Sequence, residues 1–127
     1  MSVRIKAMEK PNPPGAPAGP KKNYAVIIYD GEDNLETITK RIEKISTVSG
    51  ADIRGVLYAL VDVMTDELAD GKIVRLGDLG SMRLSLGSKP EATAADVNAK
   101  SVISSKNLFT PGVRLKKMLK NLEYIKS

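Results

Sequence analysis

The stretch "GKIVRLGDLGSMRLSLG", Gly71 to Gly87, carries the pattern that decides the fold. Its first half predicts a strand over Lys72–Leu76, and Gly77-Asp78 is a turn signal. Beyond the turn, apolar and polar residues alternate: Met82, Leu84 and Leu86 against Ser81, Arg83 and Ser85. Because successive side chains of a strand point to opposite faces, the alternation predicts a second strand with one apolar and one polar face.

Two amphipathic helices are predicted upstream of this strand pair. The first begins at Asp33, which can cap a helix with Glu36 at the matching third position, and it presents one apolar stripe. The second runs from Ser49 to Asp70 and stops at Gly71, a natural C-terminal signal. Its apolar residues cover more than a single stripe. A second subunit is the simplest cover, because a small core often needs oligomerisation.

The N-terminal region predicts two strands joined by a linker. Val3, Ile5 and Ala7 alternate with charged residues, which is typical of a short half-buried strand. The Pro- and Gly-rich stretch Lys10–Lys22 predicts an exposed, extended connector. The following "NYAVIIYDG" predicts the second strand and a turn. The two strands either pair with each other or add to the edge of another sheet.

Residues 87–107, downstream of the strand pair, predict a projecting loop or hairpin arm. The segment "SKPEATAADVNAKS" is polar and weakly periodic, and the "SVI" inside this region offers a start for a returning strand. A closing helix is predicted from about Pro111 to Tyr124, since the missing N–H of a proline costs nothing in a first helical turn. The basic residues of this helix are predicted on its solvent-exposed side: Arg114, Lys116, Lys117 and Lys120.

Basic residues are concentrated in the second half of the chain. Residues 31–70 hold 4 basic and 9 acidic side chains, whereas residues 71–127 hold 11 and 4, a net charge of +7. The whole chain has a net charge of +5 and an isoelectric point near 9.5. This distribution suggests a surface for a polyanion, although it also lies within the ordinary scatter of charge along a chain.

The composition argues against an enzyme and against a membrane protein. The chain has no His and no Cys, which excludes an imidazole base, a thiolate nucleophile and a disulfide framework. No apolar run approaches the roughly 18 residues of a membrane span, and the N-terminus lacks the apolar segment of a signal peptide. Gly77 and Gly80 match neither a dinucleotide fingerprint nor a P-loop. We therefore expect a cytoplasmic, non-enzymatic protein with no cofactor, no metal and no small-molecule substrate.

The order of these elements resembles the bacterial HU/IHF histone-like family. The similarity covers roughly residues 35–122, and its most specific pieces are "GKIVRLGDLGSMRLSLG" and "FTPGVRLKKMLKN", which begins at Phe109. The first is similar to the family's strand–Gly-x-Gly–strand element, and the second to its Phe-x-Pro-Gly-x-x-Leu-Lys element. Residues 1–34 resemble the extra strands and linker of an extended HU-like subgroup.

The resemblance implies an α+β fold with two N-terminal helices, a three-stranded antiparallel sheet with a projecting arm, and a C-terminal helix, in an intertwined homodimer. Residues 1–34 are then an extension, and residues 35–127 are the HU-like domain with its arm at about 87–107. The family binds double-stranded DNA with little base readout, which implies a place in the nucleoid. The residues expected at the DNA are basic: Lys72, Arg83, Lys89, Lys100, Lys106, Arg114, Lys116, Lys117 and Lys120.

The arm departs from the family pattern. Family arms are rich in Arg and carry a wedging Pro near the tip, whereas Gly87–Ala99 has Lys89 as its one basic residue, beside two acids. The tip, near Ala94–Val97, has no Pro, and Pro90 lies too early. In the closing helix, Lys116 alone coincides with a typical basic position. We therefore expect weak DNA bending. The alternative is an HU-like structural or protein-interaction module whose arms no longer hold DNA.

Overall fold

The computed structural model describes residues 2–10, 15, 19 and 21–127. Within these residues, three α-helices and two three-stranded sheets form an α+β fold. The helices are α1 (Leu35–Ile45), α2 (Gly50–Ala69) and α3 (Val113–Lys120). The strands of the first sheet are β1 (Val3–Lys10), β2 (Lys22–Ile28) and β6 (Tyr124–Lys126). The strands of the second sheet are β3 (Val74–Arg75), β4 (Gly80–Ser88) and β5 (Val102–Pro111).

The predicted arrangement of two N-terminal helices, one sheet and a C-terminal helix is wrong. Two three-stranded sheets are present where one was expected, because the two predicted N-terminal strands, β1 and β2, form a separate sheet with β6. The last element is β6, which follows α3. The predicted closing helix, Pro111 to Tyr124, is too long at both ends, because Pro111 closes β5 and α3 ends at Lys120.

A non-local strand pairing explains the shorter helix. Tyr124–Lys126 lies parallel to Val3–Ile5 of β1, and the amide of Ser127 donates to the Ile5 carbonyl at 2.9 Å. This pairing satisfies backbone groups that a longer helix would otherwise satisfy, and Tyr124 and Ile125 are residue types that suit a strand. The helical periodicity of residues 111–124 cannot reveal this pairing with a distant strand.

The first sheet has the strand order β2-β1-β6. β1 and β2 are antiparallel, with Arg4 opposite Ile28 at one end and Lys10 opposite Lys22 at the other. The two N-terminal strands therefore pair with each other, which was one of the two expected arrangements. Most of the predicted linker between Lys10 and Lys22 lies outside the described residues.

Local capping signals position the two central helices. Asn34, not Asp33, caps α1, and its side chain accepts a hydrogen bond from the Thr37 amide at 2.9 Å. Both residue types suit this position, so the error is one residue in the choice of cap. Ser49 caps α2 as predicted, accepting from the Asp52 amide at 3.3 Å. Gly71 follows the helix with a φ of +80°, a conformation that favours glycine.

The second sheet is dominated by the antiparallel pair of β4 and β5. Their register runs from Gly80 opposite Pro111 to Ser88 opposite Val102, with an irregularity between Gly87 and Ser88. β5 begins at Val102, as the "SVI" segment predicts. β3 contains two residues and is shorter than the predicted strand.

The tip of the arm, residues 89–101, is tied together by a buried serine. Ser101 is 1% exposed. Its hydroxyl donates to a Glu91 carboxylate oxygen at 3.0 Å and accepts from the Asn98 amide at 3.1 Å. The Lys89 amide donates to the Ser101 carbonyl at 2.9 Å. These bonds close the base of the tip, which also contains two short 3-10 turns.

A single copy buries little apolar surface. Among the described residues, Ile53 and Leu68 are the buried hydrophobic side chains. In contrast, Val56 and Val63 on α2 are 66% and 58% exposed, and Leu86 on β4 is 61% exposed. Burial of a large apolar side chain stabilises a fold by about 1.5–3 kcal/mol, so two such residues make a weak core. The exposed apolar surface is available to a partner.

Candidate functional site

One face of the second sheet is polar and basic. Residues directly opposite each other on neighbouring strands share a face. By the observed register, one face has these members: Arg75, Ser81, Arg83, Ser85, Lys106, Leu108 and Thr110. The other face carries Met82, Leu84, Leu86 and Phe109, and the Asn107 amide donates to the Met82 sulfur at 3.8 Å. The predicted division of β4 into a polar and an apolar face is confirmed.

A groove of about 280 Å³ lies where this polar face meets the start of α3. The residues that line it come from both elements: Arg75, Gly77, Gly80, Ser81, Thr110, Pro111, Gly112 and Lys116. Two cations and two hydroxyls border this space, and no acidic side chain is among its described lining residues. Arginine, lysine and hydroxyl groups all donate hydrogen bonds, so the groove suits an anionic oxygen such as that of a phosphate.

Two glycines bring the turn and the helix together at this groove. Gly80 has a φ of +139°, and a Cβ atom there would collide with the Thr110 carbonyl. The amide of Gly112 donates to the Leu79 carbonyl at 3.1 Å, and the close approach of the two backbones leaves no room for a side chain at Gly112. Because the start of α3 is fixed against the turn, Lys116, one helical turn later, lies at the groove.

Four of the nine predicted DNA-binding residues lie at the groove or on surfaces continuous with it. Lys116 lines the groove, and Arg83 and Lys106 extend from it along the polar face of the sheet. Lys120 follows Lys116 by four residues, so it lies on the same side of α3. These cations form no ion pair with any described acid.

The other two basic residues of α3 lie elsewhere. Arg114 lines a separate hollow of about 410 Å³ with Asp78, Leu79 and Leu115, so the structure does not bring it to the groove. Lys117 is exposed and is about 100° around the helix from Lys116. The basic side of α3 is therefore divided between the groove, the hollow and open solvent.

The remaining three predicted residues lie at the ends of the second sheet. Lys72 pairs with Glu67 at 3.2 Å, and Lys89 pairs with Glu91 at 3.6 Å. Both pairs are solvent-exposed in part, so they offset the positive charge without adding much stability. Lys100 is exposed on the arm tip and forms no ion pair with a described acid.

Arg75 is the cation of the groove that is absent from the predicted DNA-binding residues. It lies opposite Ser81 in the β3–β4 pair, which places it on the polar face. Lys72, which was predicted at the DNA, is outside β3 and has an acidic partner. The predicted turn near Gly77–Gly80 could have identified Arg75, because pairing of the strands across that turn places Arg75 on the same face as the polar residues of β4.

Comparison with known proteins supports the fold. The chain is similar to the crystal structure of a Bacteroides vulgatus protein, described as a proposed bacterial DNA-binding protein, with a TM-score of 0.67 and 16% sequence identity. The match covers 97% of this chain and 47% of that protein, so the chain spans about half the length of this relative. No curated protein shows a significant sequence match. None of the described helices is both long enough and apolar enough to cross a membrane.

A family profile covers nearly the whole chain. The profile is described as "HU domain fused to wHTH, Ig, or Glycine-rich motif", and it matches residues 1–126. The matched range includes both sheets, the groove and the two sequence elements that begin at Gly71 and Phe109. The chain therefore belongs to the HU-HIG family.

Proposed function

We propose that the protein is a histone-like architectural DNA-binding protein that holds the phosphate backbone of duplex DNA as a homodimer. Membership of an HU family supports DNA binding. The observation that carries the proposal is the groove that Arg75 and Lys116 both line and whose described lining includes no acidic side chain. Such a groove suits phosphate oxygens, which carry no sequence information, so binding is sequence-tolerant. The role is non-enzymatic.

A second copy of the chain is the partner that we propose for the exposed apolar surface. α2 exposes Val56 and Val63, and the apolar face of the second sheet exposes Leu84 and Leu86. Pairing these surfaces between two copies supplies the core that one copy lacks, and symmetric association is the usual arrangement of homo-oligomers. Two copies also provide two polar faces for one duplex. In this proposal, residues 35–127 form the DNA-binding domain and residues 1–34 are its extension.

The arm is expected to bend DNA weakly. Its Lys89 is paired with Glu91, and the tip carries no proline wedge near Val97. Architectural proteins that kink DNA sharply frequently insert an apolar wedge between base steps, in addition to their contacts with the phosphates. We therefore propose that the protein binds the DNA phosphate backbone in the cytoplasmic nucleoid. It would condense DNA by covering it, with little sharp bending.

A mobility-shift titration of duplex DNA at several salt concentrations tests this proposal. The native chain is expected to shift the duplex at micromolar protein in low salt. Arg75→Ala combined with Lys116→Ala should reduce the salt slope by about four, because the dimer loses two phosphate contacts per subunit and each lost contact removes about one. The affinity at moderate salt should fall roughly 10- to 100-fold.

The matched control removes one arginine and one lysine from the helices. Lys44→Ala combined with Arg54→Ala causes the same change in net charge, but neither residue lines the groove. This control should bind within about twofold of the native chain, because it loses only the general attraction of two positive charges and no proposed phosphate contact. Equal losses from the two pairs, or no shift of the native chain in low salt, would contradict the proposal.

A protein-interaction module is the second candidate, and the arm is the feature that favours it. The arm exposes Val97 at its tip and Ile103 on β5, and both side chains suit an apolar partner surface. Under this candidate, the chain fails to bind duplex and retains a specific protein partner after nuclease treatment. The titration above therefore separates the two candidates.

A further inference from the structure

Four basic side chains share one face of the first sheet, remote in sequence from the groove. Arg4, Lys6 and Lys10 alternate along β1 with residues of the opposite face, and Lys22 of β2 lies directly opposite Lys10. All four are exposed. Side chains two positions apart on a strand are about 7 Å apart, so these residues form a row of positive charge along the sheet.

An exposed aromatic ring lies within this row. Tyr24 is opposite Met8, on the same face as the cations, and is 48% exposed. The Lys10 ammonium lies 5.4 Å from the centre of the Tyr24 ring. The face therefore combines positive charge with an aromatic ring that is about half exposed to solvent.

Acidic residues offset little of this charge. Asp30 pairs with Arg4 at 3.3 Å, just beyond the end of β2. Glu9 belongs to the opposite face, because it alternates with Lys10 along β1. Lys6, Lys10 and Lys22 form no ion pair with an acid in the described part of the chain. Three unpaired lysines and one ring thus define a surface, the Tyr24 face.

We propose that the Tyr24 face binds single-stranded nucleic acid. Surfaces that bind unpaired strands combine a row of cations for the phosphates with aromatic rings on which bases stack, and sheet faces provide this arrangement in several RNA-binding folds. A duplex hides the faces of its bases, so the exposed ring of Tyr24 offers nothing to it. The Tyr24 face is separate from the groove, and its binding does not rest on the proposed duplex function.

Anisotropy of a labelled oligothymidine tests this proposal with a matched pair of substitutions. Tyr24→Ala should weaken binding about tenfold, the order expected when one stacked base loses its ring. Tyr24→Phe keeps the ring and should bind within about twofold of the native chain. Lys6→Glu, Lys10→Glu and Lys22→Glu together should weaken binding at least tenfold and reduce its salt dependence.

A fluorescent variant keeps the test valid if the triple substitution fails to fold. The native chain has no Trp, so Tyr24→Trp introduces a single indole at the proposed stacking position. Its fluorescence should be quenched when the oligonucleotide is added. Oligonucleotide affinity equal to the native value in Tyr24→Ala, or an indole that does not respond while the oligonucleotide binds, would overturn the proposal.

The two surfaces are distinguished by exchanging probes. Arg75→Ala with Lys116→Ala should retain oligothymidine binding, and Tyr24→Ala should retain duplex binding. A Tyr24→Ala chain that loses both probes equally would show one shared surface and would contradict a separate single-strand site. Failure of the native chain to bind duplex would leave the oligonucleotide result, and so this inference, unaffected.

Discussion

A chain that carries Val56→Glu and Val63→Glu is expected to be monomeric at micromolar concentrations at which the native chain is a dimer. Both valines lie on the exposed apolar side of α2. Burying carboxylates without partners costs several kcal/mol each, and the symmetric dimer would bury four, which is enough to offset association of micromolar strength, about 8 kcal/mol. Because Ile53 and Leu68 are the buried hydrophobic residues among those described, the monomer should also lose most of its thermal stability.

Sedimentation velocity and thermal unfolding followed by circular dichroism measure both effects. Asp62→Lys provides the control, since this residue is exposed on the polar side of the same helix. The control should remain dimeric, with a melting temperature close to the native value. A double variant that sediments like the native chain would contradict the proposed dimer interface. A native chain that is a stable folded monomer would contradict the dimer itself.

Gly80→Val is expected to reduce the free energy of unfolding by more than about 3 kcal/mol and to abolish duplex binding through the groove. The φ of +139° is one that a β-branched residue does not adopt. The new side chain would also collide with the Thr110 carbonyl and the Phe109 ring. Since the carbonyl belongs to the partner strand β5, relief of this collision requires the sheet to separate beside the groove. Urea unfolding and a mobility shift measure the two losses.

Gly77→Ala in the same turn separates backbone strain from crowding. Gly77 has a φ of +58°, and a Cβ atom there would have no neighbour within 4 Å. The expected loss is about 1–2 kcal/mol, which is the cost of the left-handed conformation alone. If Gly77→Ala and Gly80→Val prove equally costly, crowding against β5 contributes nothing and the close approach at the groove is wrong.

The parts of the fold that short-range signals encode were predictable. Ser49 and Gly71 bound α2 because capping and left-handed termination depend on residues within one turn. The alternation from Ser81 to Leu86 identifies the two faces of β4, since it depends only on the pleat of one strand.

Features that depend on distant residues were not predictable. The parallel pairing of Tyr124 with Val3 joins the two ends of the chain, and no periodicity within either segment encodes it. The inclusion of Arg75 in the groove and the exclusion of Arg114 follow from how α3 meets the turn at Gly77–Leu79. A helical projection of α3 alone places four cations on one side, but contacts with that turn decide which of them reaches the groove.

The smallest stable complex with a short DNA duplex provides the most direct measurement of how the protein holds DNA. We expect sedimentation equilibrium to show two chains on one duplex, and raising the salt from about 50 to about 200 mM should release the duplex, because displaced counterions drive the association. A stable complex of one chain with one duplex, or an affinity that does not change with salt, would contradict a dimer that binds through the phosphate backbone.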